Sequence, residues 1–348
     1  MSTILQNVKQ KISAFSQSLR KNAVPIVLRI LPFFAFIVPF FILYLLHPNT
    51  FEPVWTGTWE NRMGYILFSW LFFLETIMAW EELQIKKHKL LSAKTILLIL
   101  TLLLPTIYVI VANYFGVNQA IIDLSQKSNI KPAWAALMPL SIEYMIFAFL
   151  FAAIIFLEYD IKGIRFYSVS TSFLIIIGVV YTINNVYPFG EFAPFQIMVI
   201  PTAIFAEKVL NLMGYRTTLI AKNTTPYLYA ANPENPKESF GALIDWPCAG
   251  IESLMIYTVT ILLFLKKSNF SLKHKIIYFL IGAVVTYFIN ILRIVTLYTI
   301  AIHKGDWGVF HDYFGPLYSI VWIVSYPLII VKSQDVWSKF REWRANKT

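Results

Sequence analysis

IIYFLIGAVVTYFINILRIVTLYTIA, residues 276–301, carries one charged side chain, Arg293, and is otherwise apolar with a few hydroxyl and amide groups. A helix rises 1.5 Å per residue, so about 20 such residues cross a hydrocarbon core about 30 Å thick. Runs of the same kind lie at 24–46, 64–80, 95–115, 134–157, 166–187, 194–213, 248–265 and 314–332. Composition agrees: of 348 residues 57% are apolar and 14% charged, where a soluble domain carries about 25% charged residues. So little charge cannot coat a surface that faces water alone. The expected fold is all-α, a polytopic membrane protein.

Charge reduces nine candidate runs to eight crossings. Basic residues mark cytoplasmic segments. Lys9, Lys11, Arg20 and Lys21 place the N-terminus inside, and Lys339, Arg341, Arg344 and Lys347 place the C-terminal tail there too. Lys86, Lys87, Lys89 and Lys94, then Lys162 and Arg165, then Lys266, Lys267, Lys273 and Lys275 fix three further inner loops. Nine crossings would put the termini on opposite sides. The run at 194–213 contains Pro201, Glu207, Lys208 and Asn211, and a charge at the centre of a span costs about 2.5–3.5 kcal/mol. It reads as an interfacial or re-entrant helix on the outer face. The net charge of +10 is therefore a topology signal, and no nucleic-acid partner is expected.

The expected organisation is a single membrane domain: a five-span half over 1–193, an extracytoplasmic helix and insert over 194–247, a three-span core over 248–332 and a cytoplasmic tail over 333–348. Within the insert, the alternation in YRTTLIA (215–221) suggests a strand or two, followed by a loop with Pro226, Pro233 and Pro236. Asn223-Thr224-Thr225 is a glycosylation sequon, a pattern frequent by chance.

Three residues could carry chemistry. Cys248, the single cysteine, opens a predicted span in DWPCAGIESL, and Pro247 suits a helix start. A helix N-terminus lowers a thiol pKa, and its free N–H groups can hold an oxyanion. A lone membrane cysteine is more commonly a small hydrophobe. Arg293 lies about 25 Å along its run from the inner end, close to the outer edge of the hydrocarbon core, with Asn290 three residues earlier on the same face. An intramembrane ionisable residue is functional by default, and the alternative is snorkelling to the headgroups. His311 lies in the external loop HKGDWGVFHDYFGPL near His303 and Asp312, whose spacing does not make a metal site. No cofactor is expected. Glu75 and Glu143 read either as partners of Arg29 or as cavity-lining groups. The charge-derived topology brings Cys248, Arg293 and His311 to the outer face, a plausible acyl-transfer constellation.

Cys-Ala-Gly-Ile-Glu-Ser (248–253), Asn-Ile-Leu-Arg-Ile (290–294) and Phe-His-Asp-Tyr-Phe-Gly (310–315) resemble, in that order, motifs of the exosortase/archaeosortase family of membrane cysteine transpeptidases. VLNLMGYRTTLIA (209–221) resembles the stretch that precedes the family's cysteine, and Ala249 stands where many relatives have serine. The basic composition looks like the archaeal branch, its thaumarchaeal group. The resemblance covers about residues 195–332. It implies substrates that are exported proteins with a C-terminal motif, apolar segment and basic tail, and an acceptor that in archaea is a membrane lipid. It further implies that Cys248 is the nucleophile, Arg293 the proton donor and His311 a stabiliser of the transition state. Two other readings stand beside it: a transporter or channel lined by Glu75, Glu143 and Arg293, and a non-catalytic membrane assembly protein.

Overall fold

The computed structural model describes residues 23–52, 60–83, 93–188, 192–222, 225–246 and 248–345. Among them, six helices are long and apolar enough to cross a membrane, and two shorter apolar helices stand beside these, at Met63–Met78 and Ser253–Lys266. The described residues fall into two compact units, one ending at Val186 and one beginning at Tyr187.

The first unit contains α1 (Ala23–Leu46), α2 (Met63–Met78), α3 (Ala93–Tyr114), α4 (Val117–Lys127), α5 (Met138–Phe166) and α6 (Ser168–Val186). Its centre is aromatic. Phe36 meets Phe68 and Phe147 edge to face, and Phe72 stacks on Tyr167 at 5.1 Å, geometries the ring quadrupole favours. Asp160, at φ 58°, breaks α5 near its end, and its carboxylate meets Lys94 at 2.9 Å.

Glu143 and Glu75 of this unit have partners within it. Arg62 grips Glu143 with two parallel bonds, Nε to Oε1 at 2.8 Å and Nη2 to Oε2 at 3.0 Å, and Tyr65 adds a third at 2.7 Å. Glu75 accepts from the backbone N–H groups of Val169 and Ser170 and from the Ser170 hydroxyl. It thereby satisfies donors that α6 leaves open at its N-terminus. Arg29 lies over the Trp80 ring at 4.2 Å. Glu75 and Glu143 thus meet other groups than Arg29: one caps a helix and the other closes a buried ion pair.

The second unit contains α7 (Ala193–Leu212), strands β1 (Arg216–Lys222), β2 (Thr225–Ala231) and β3 (Ser239–Leu243), and helices α8 (Ile251–Lys267), α9 (Leu272–Ile302) and α10 (Gly315–Ala345). The all-α expectation needs correction here, because the insert is a three-stranded antiparallel sheet in the order β1-β2-β3. Part of the predicted Pro-rich loop is strand, because Pro226 lies in β2. α7 has the length of a span, but it is not among the membrane-crossing candidates, and it carries Glu207 and Lys208.

Helices α8 and α10 build a core of Tyr257, Ile261, Leu265, Ile323, Tyr326 and Ile330, against which Tyr278, Phe279 and Ala283 of α9 pack. Tyr257 donates to the Phe279 carbonyl at 2.8 Å and Tyr326 to the Tyr278 carbonyl at 2.7 Å, tying both outer helices to α9. Gly282 makes room for them, since a Cβ there would collide with both rings. At the other end, Ser253 and Ser319 bond at 2.9 Å, the close approach of small residues that lets membrane helices associate. Tyr298 of α9 donates to the Leu228 carbonyl at 2.8 Å and reaches that of Ala242 at 3.3 Å. The sheet is thereby fixed to the helix that bears Arg293.

Candidate active site

The chain leaves β3, keeps the ladder through Ile244, whose N–H donates to the Pro226 carbonyl, and then turns. Ala249 closes that turn by donating to the carbonyls of Asp245 and Trp246. α8 begins only at Ile251. Cys248 therefore precedes the helix instead of opening it, which corrects the sequence expectation. Pro247, Asn223 and Thr224 lie outside the described residues. Burial is the dominant influence on the thiol and pushes its pKa up; the Asp245 backbone N–H and the Arg293 cation oppose it, and the Asp245 carboxylate adds to it. The depressed thiol pKa expected from a helix N-terminus is not what this position produces. Burial raises the Asp245 carboxyl as well, against a 2.7 Å bond from the Trp246 N–H.

Asn290 holds the turn. Its Nδ2 donates to the Cys248 carbonyl at 2.8 Å, and the residue is 1% exposed. Gly250 adopts φ +88° directly beside it, and a Cβ at that position would lie 2.8 Å from Asn290 Cγ. Both the left-handed backbone and the contact require glycine. One helical turn further on, the Arg293 guanidinium packs on Gly315, where a Cβ would come within 2.6 Å of Nε. Its Nη2 reaches the His311 carbonyl at 3.5 Å.

His311 sits in a π-helical turn, Phe310–Phe314, immediately before α10. Such one-turn bulges recur at functional sites. Asp306 starts this segment by accepting from the Val309 N–H at 3.0 Å. His311 is half-buried; the side chain of Asp312 is outside the described positions. His303 lies elsewhere, bonded to Tyr215 at 3.0 Å and 3.8 Å from Glu238. Among the described residues, no group of three His, Cys, Asp or Glu side chains could hold a metal ion.

Of the three predicted residues, Arg293 is the pivot: its charge acts on Cys248, and its guanidinium touches the turn that carries His311. Sequence reading passed over Gly315 and the bond from Asn290 to Cys248. The run CAGIES contains Gly250, a small residue that leaves room for a neighbour, and packing shows why it must be glycine.

The fold and this cluster define a multi-pass membrane protein with a cysteine, an arginine and a histidine gathered about one end of a three-helix core. Residues 30–326 match the family model described as transmembrane exosortase, and the chain belongs to that family. No curated protein and no solved structure matches it.

Proposed function

We propose that this chain is a membrane-embedded cysteine transpeptidase of the archaeosortase type that removes C-terminal sorting signals from exported proteins. Family membership supports the class, since exosortases act in general on exported proteins bearing such signals. The observation that carries the residue assignment is the coupling of Cys248, through Asn290 and Arg293, to the His311 turn.

In this reading the Cys248 thiolate attacks a backbone carbonyl of the substrate. A carbon–sulfur bond forms, negative charge gathers on the carbonyl oxygen, and Arg293 and His311 stabilise it. The carbon–nitrogen bond then breaks, the leaving amine takes up the proton that the thiol gave up, and an acyl-thioester remains on Cys248. A lipid hydroxyl or water attacks the thioester and returns the thiol. Arginine stays protonated under nearly all conditions, so the electrostatic role suits Arg293 better than the family's role of proton donor.

The membrane arrangement is eight crossings, formed by the six long helices and the two shorter ones, with both termini cytoplasmic and the cysteine extracytoplasmic. α7 and the sheet stand on the outer side. The decisive experiment is processing of a reporter that ends in a motif, apolar segment and basic tail taken from an exported protein of the same genome. Cys248→Ala should reach wild-type membrane levels and leave the reporter uncut; normal processing by that variant overturns the enzyme reading.

A further inference from the structure

Strand β3 ends almost at the cysteine, and its outer edge is open. It is the last strand of the sheet, paired only with β2. Antiparallel ladder bonds alternate from side to side along a strand. Glu238 and Ile244 bond towards β2, to Asn232 and Pro226, which places Phe240 and Ala242 on that side too. Ser239, Gly241 and Leu243 consequently turn their N–H and C=O groups outward. Among the described residues, those groups have no backbone partner. Residues 239–242 are partly exposed and Leu243 is 63% exposed.

Proteins ordinarily guard such an edge with charge or proline. The other edge strand, β1, begins with Arg216 and ends with Lys222, whereas β3 reads Ser-Phe-Gly-Ala-Leu and carries neither guard. Asp245 is next in the outward series, and the turn that carries Cys248 folds back on it, the Ala249 N–H donating to the Asp245 carbonyl at 3.2 Å. The nucleophile thus stands at the next hydrogen-bonding position along the open edge.

We propose that the substrate binds as an added strand on the outer edge of β3, its extended motif running along Ser239–Leu243 and delivering the following carbonyl to Cys248. An extended peptide supplies donors and acceptors at the strand repeat, which a lipid chain cannot, so the occupant is polypeptide. Main-chain pairing gives affinity, and alternate side chains give specificity. This inference rests on the transpeptidase reading and adds to it where and how the signal is held.

The test pairs two measurements on the full-length chain in lipid nanodiscs. Leu243→Pro removes one outward N–H while sparing the bonds of Ala242 and Ile244 to β2, and proline is tolerated on an edge strand in that orientation. Leu243→Ala removes only the exposed side chain. With the reporter described above, Leu243→Pro should lower kcat/KM about tenfold, the worth of one lost backbone bond, and Leu243→Ala, which keeps that N–H, should lower it less. Labelling of Cys248 by iodoacetamide should be equal in both. Independently, wild-type protein is challenged with synthetic motif peptides methylated at successive backbone nitrogens. Competition against the reporter should be lost at every second position.

Equal cleavage by the two Leu243 variants, or methylation losses without alternation, overturns strand addition while leaving a working enzyme. If Leu243→Pro also loses labelling, the methylation series on wild type decides alone. A reporter left uncut by wild type, or cut by Cys248→Ala, removes the transpeptidase reading itself, and strand addition with it.

Discussion

The Asn290 side-chain amide donates to the carbonyl of Cys248 at 2.8 Å, across 42 residues of sequence. This bond ties the only cysteine to the helix that carries Arg293, one turn above. Without it, the turn that carries Cys248 would depend on the two bonds of the Ala249 N–H and on the left-handed backbone of Gly250. In the proposed reaction Asn290 is therefore a positioning residue: it sets where the sulfur stands relative to the guanidinium and takes no part in bond making.

Removing the amide should loosen that register. Asn290→Ala leaves a buried carbonyl unpaired, at a cost of about 1–3 kcal/mol. Asn290→Asp is worse, because it places an anion against the carbonyl oxygen and close to the sulfur. Both variants should cut reporter processing through kcat more than KM. Asn290→Asp should also slow alkylation of Cys248 at fixed pH, whereas a purely structural loss would leave the alkylation profile where it was. Equal kcat in wild type and Asn290→Ala would remove the residue from the site.

The thiol gives a second prediction with opposite signs in two variants. Alkylation needs the thiolate, so at fixed pH the rate falls as the pKa rises, about tenfold per unit well below it. Burial raises the Cys248 pKa, Arg293 lowers it and the Asp245 carboxylate raises it. Arg293→Ala should therefore shift the pH–rate profile for iodoacetamide upward, and Asp245→Asn should shift it downward. Shifts in one shared direction would mean that the two charges do not act on the sulfur.

Much of the helical frame was legible in the residues. The predicted run at 24–46 became Ala23–Leu46, and that at 276–301 became Leu272–Ile302, because partition into hydrocarbon and helix formation demand the same apolar length. The start of α8 was not legible. Ala249 and Gly250 suit a hydropathy window, but hydropathy does not register the +88° backbone of Gly250, which delays the helix to Ile251. Strand β3 was also missed: a five-residue segment with Gly241 at its centre has little local preference, and pairing with Tyr227–Ala231 makes it a strand. The partner of Glu143 lies 81 residues away, beyond the reach of any local pattern.

That partner predicts a stability effect remote from the cysteine. Arg62 and Glu143 are 6% and 3% exposed, and they bind each other through two parallel bonds. Breaking a buried pair by removing one charge costs about 3–5 kcal/mol, while replacing both with apolar groups is often neutral. Glu143→Gln should lower the midpoint of thermal unfolding in detergent, and Arg62→Met with Glu143→Leu should recover most of it. Alkylation of Cys248 should be unchanged in the double variant. A Glu143→Gln protein as stable as wild type would show that the pair contributes little.

Arg293→Lys separates a chemical role from an anchoring one. Both side chains carry a positive charge, so an arginine that merely snorkels to the headgroups should be replaceable by lysine. The structure uses more than charge at this position. Nε lies against Gly315, Nη2 reaches the His311 carbonyl, and the cation acts on Cys248. A planar fork can meet several groups at once, whereas an ammonium is a single point that sheds its proton when desolvated. Loss of one donor to a developing oxyanion costs about 2.7–4 kcal/mol, or 10²–10³ in rate. Arg293→Lys should therefore process the reporter almost as poorly as Arg293→Ala, at matched membrane levels. The lysine variant should nevertheless keep a Cys248 alkylation profile closer to wild type than the alanine variant, because some positive charge remains near the sulfur. Processing by Arg293→Lys within a few-fold of wild type would assign Arg293 to anchoring and leave His311 as the partner of the thiol.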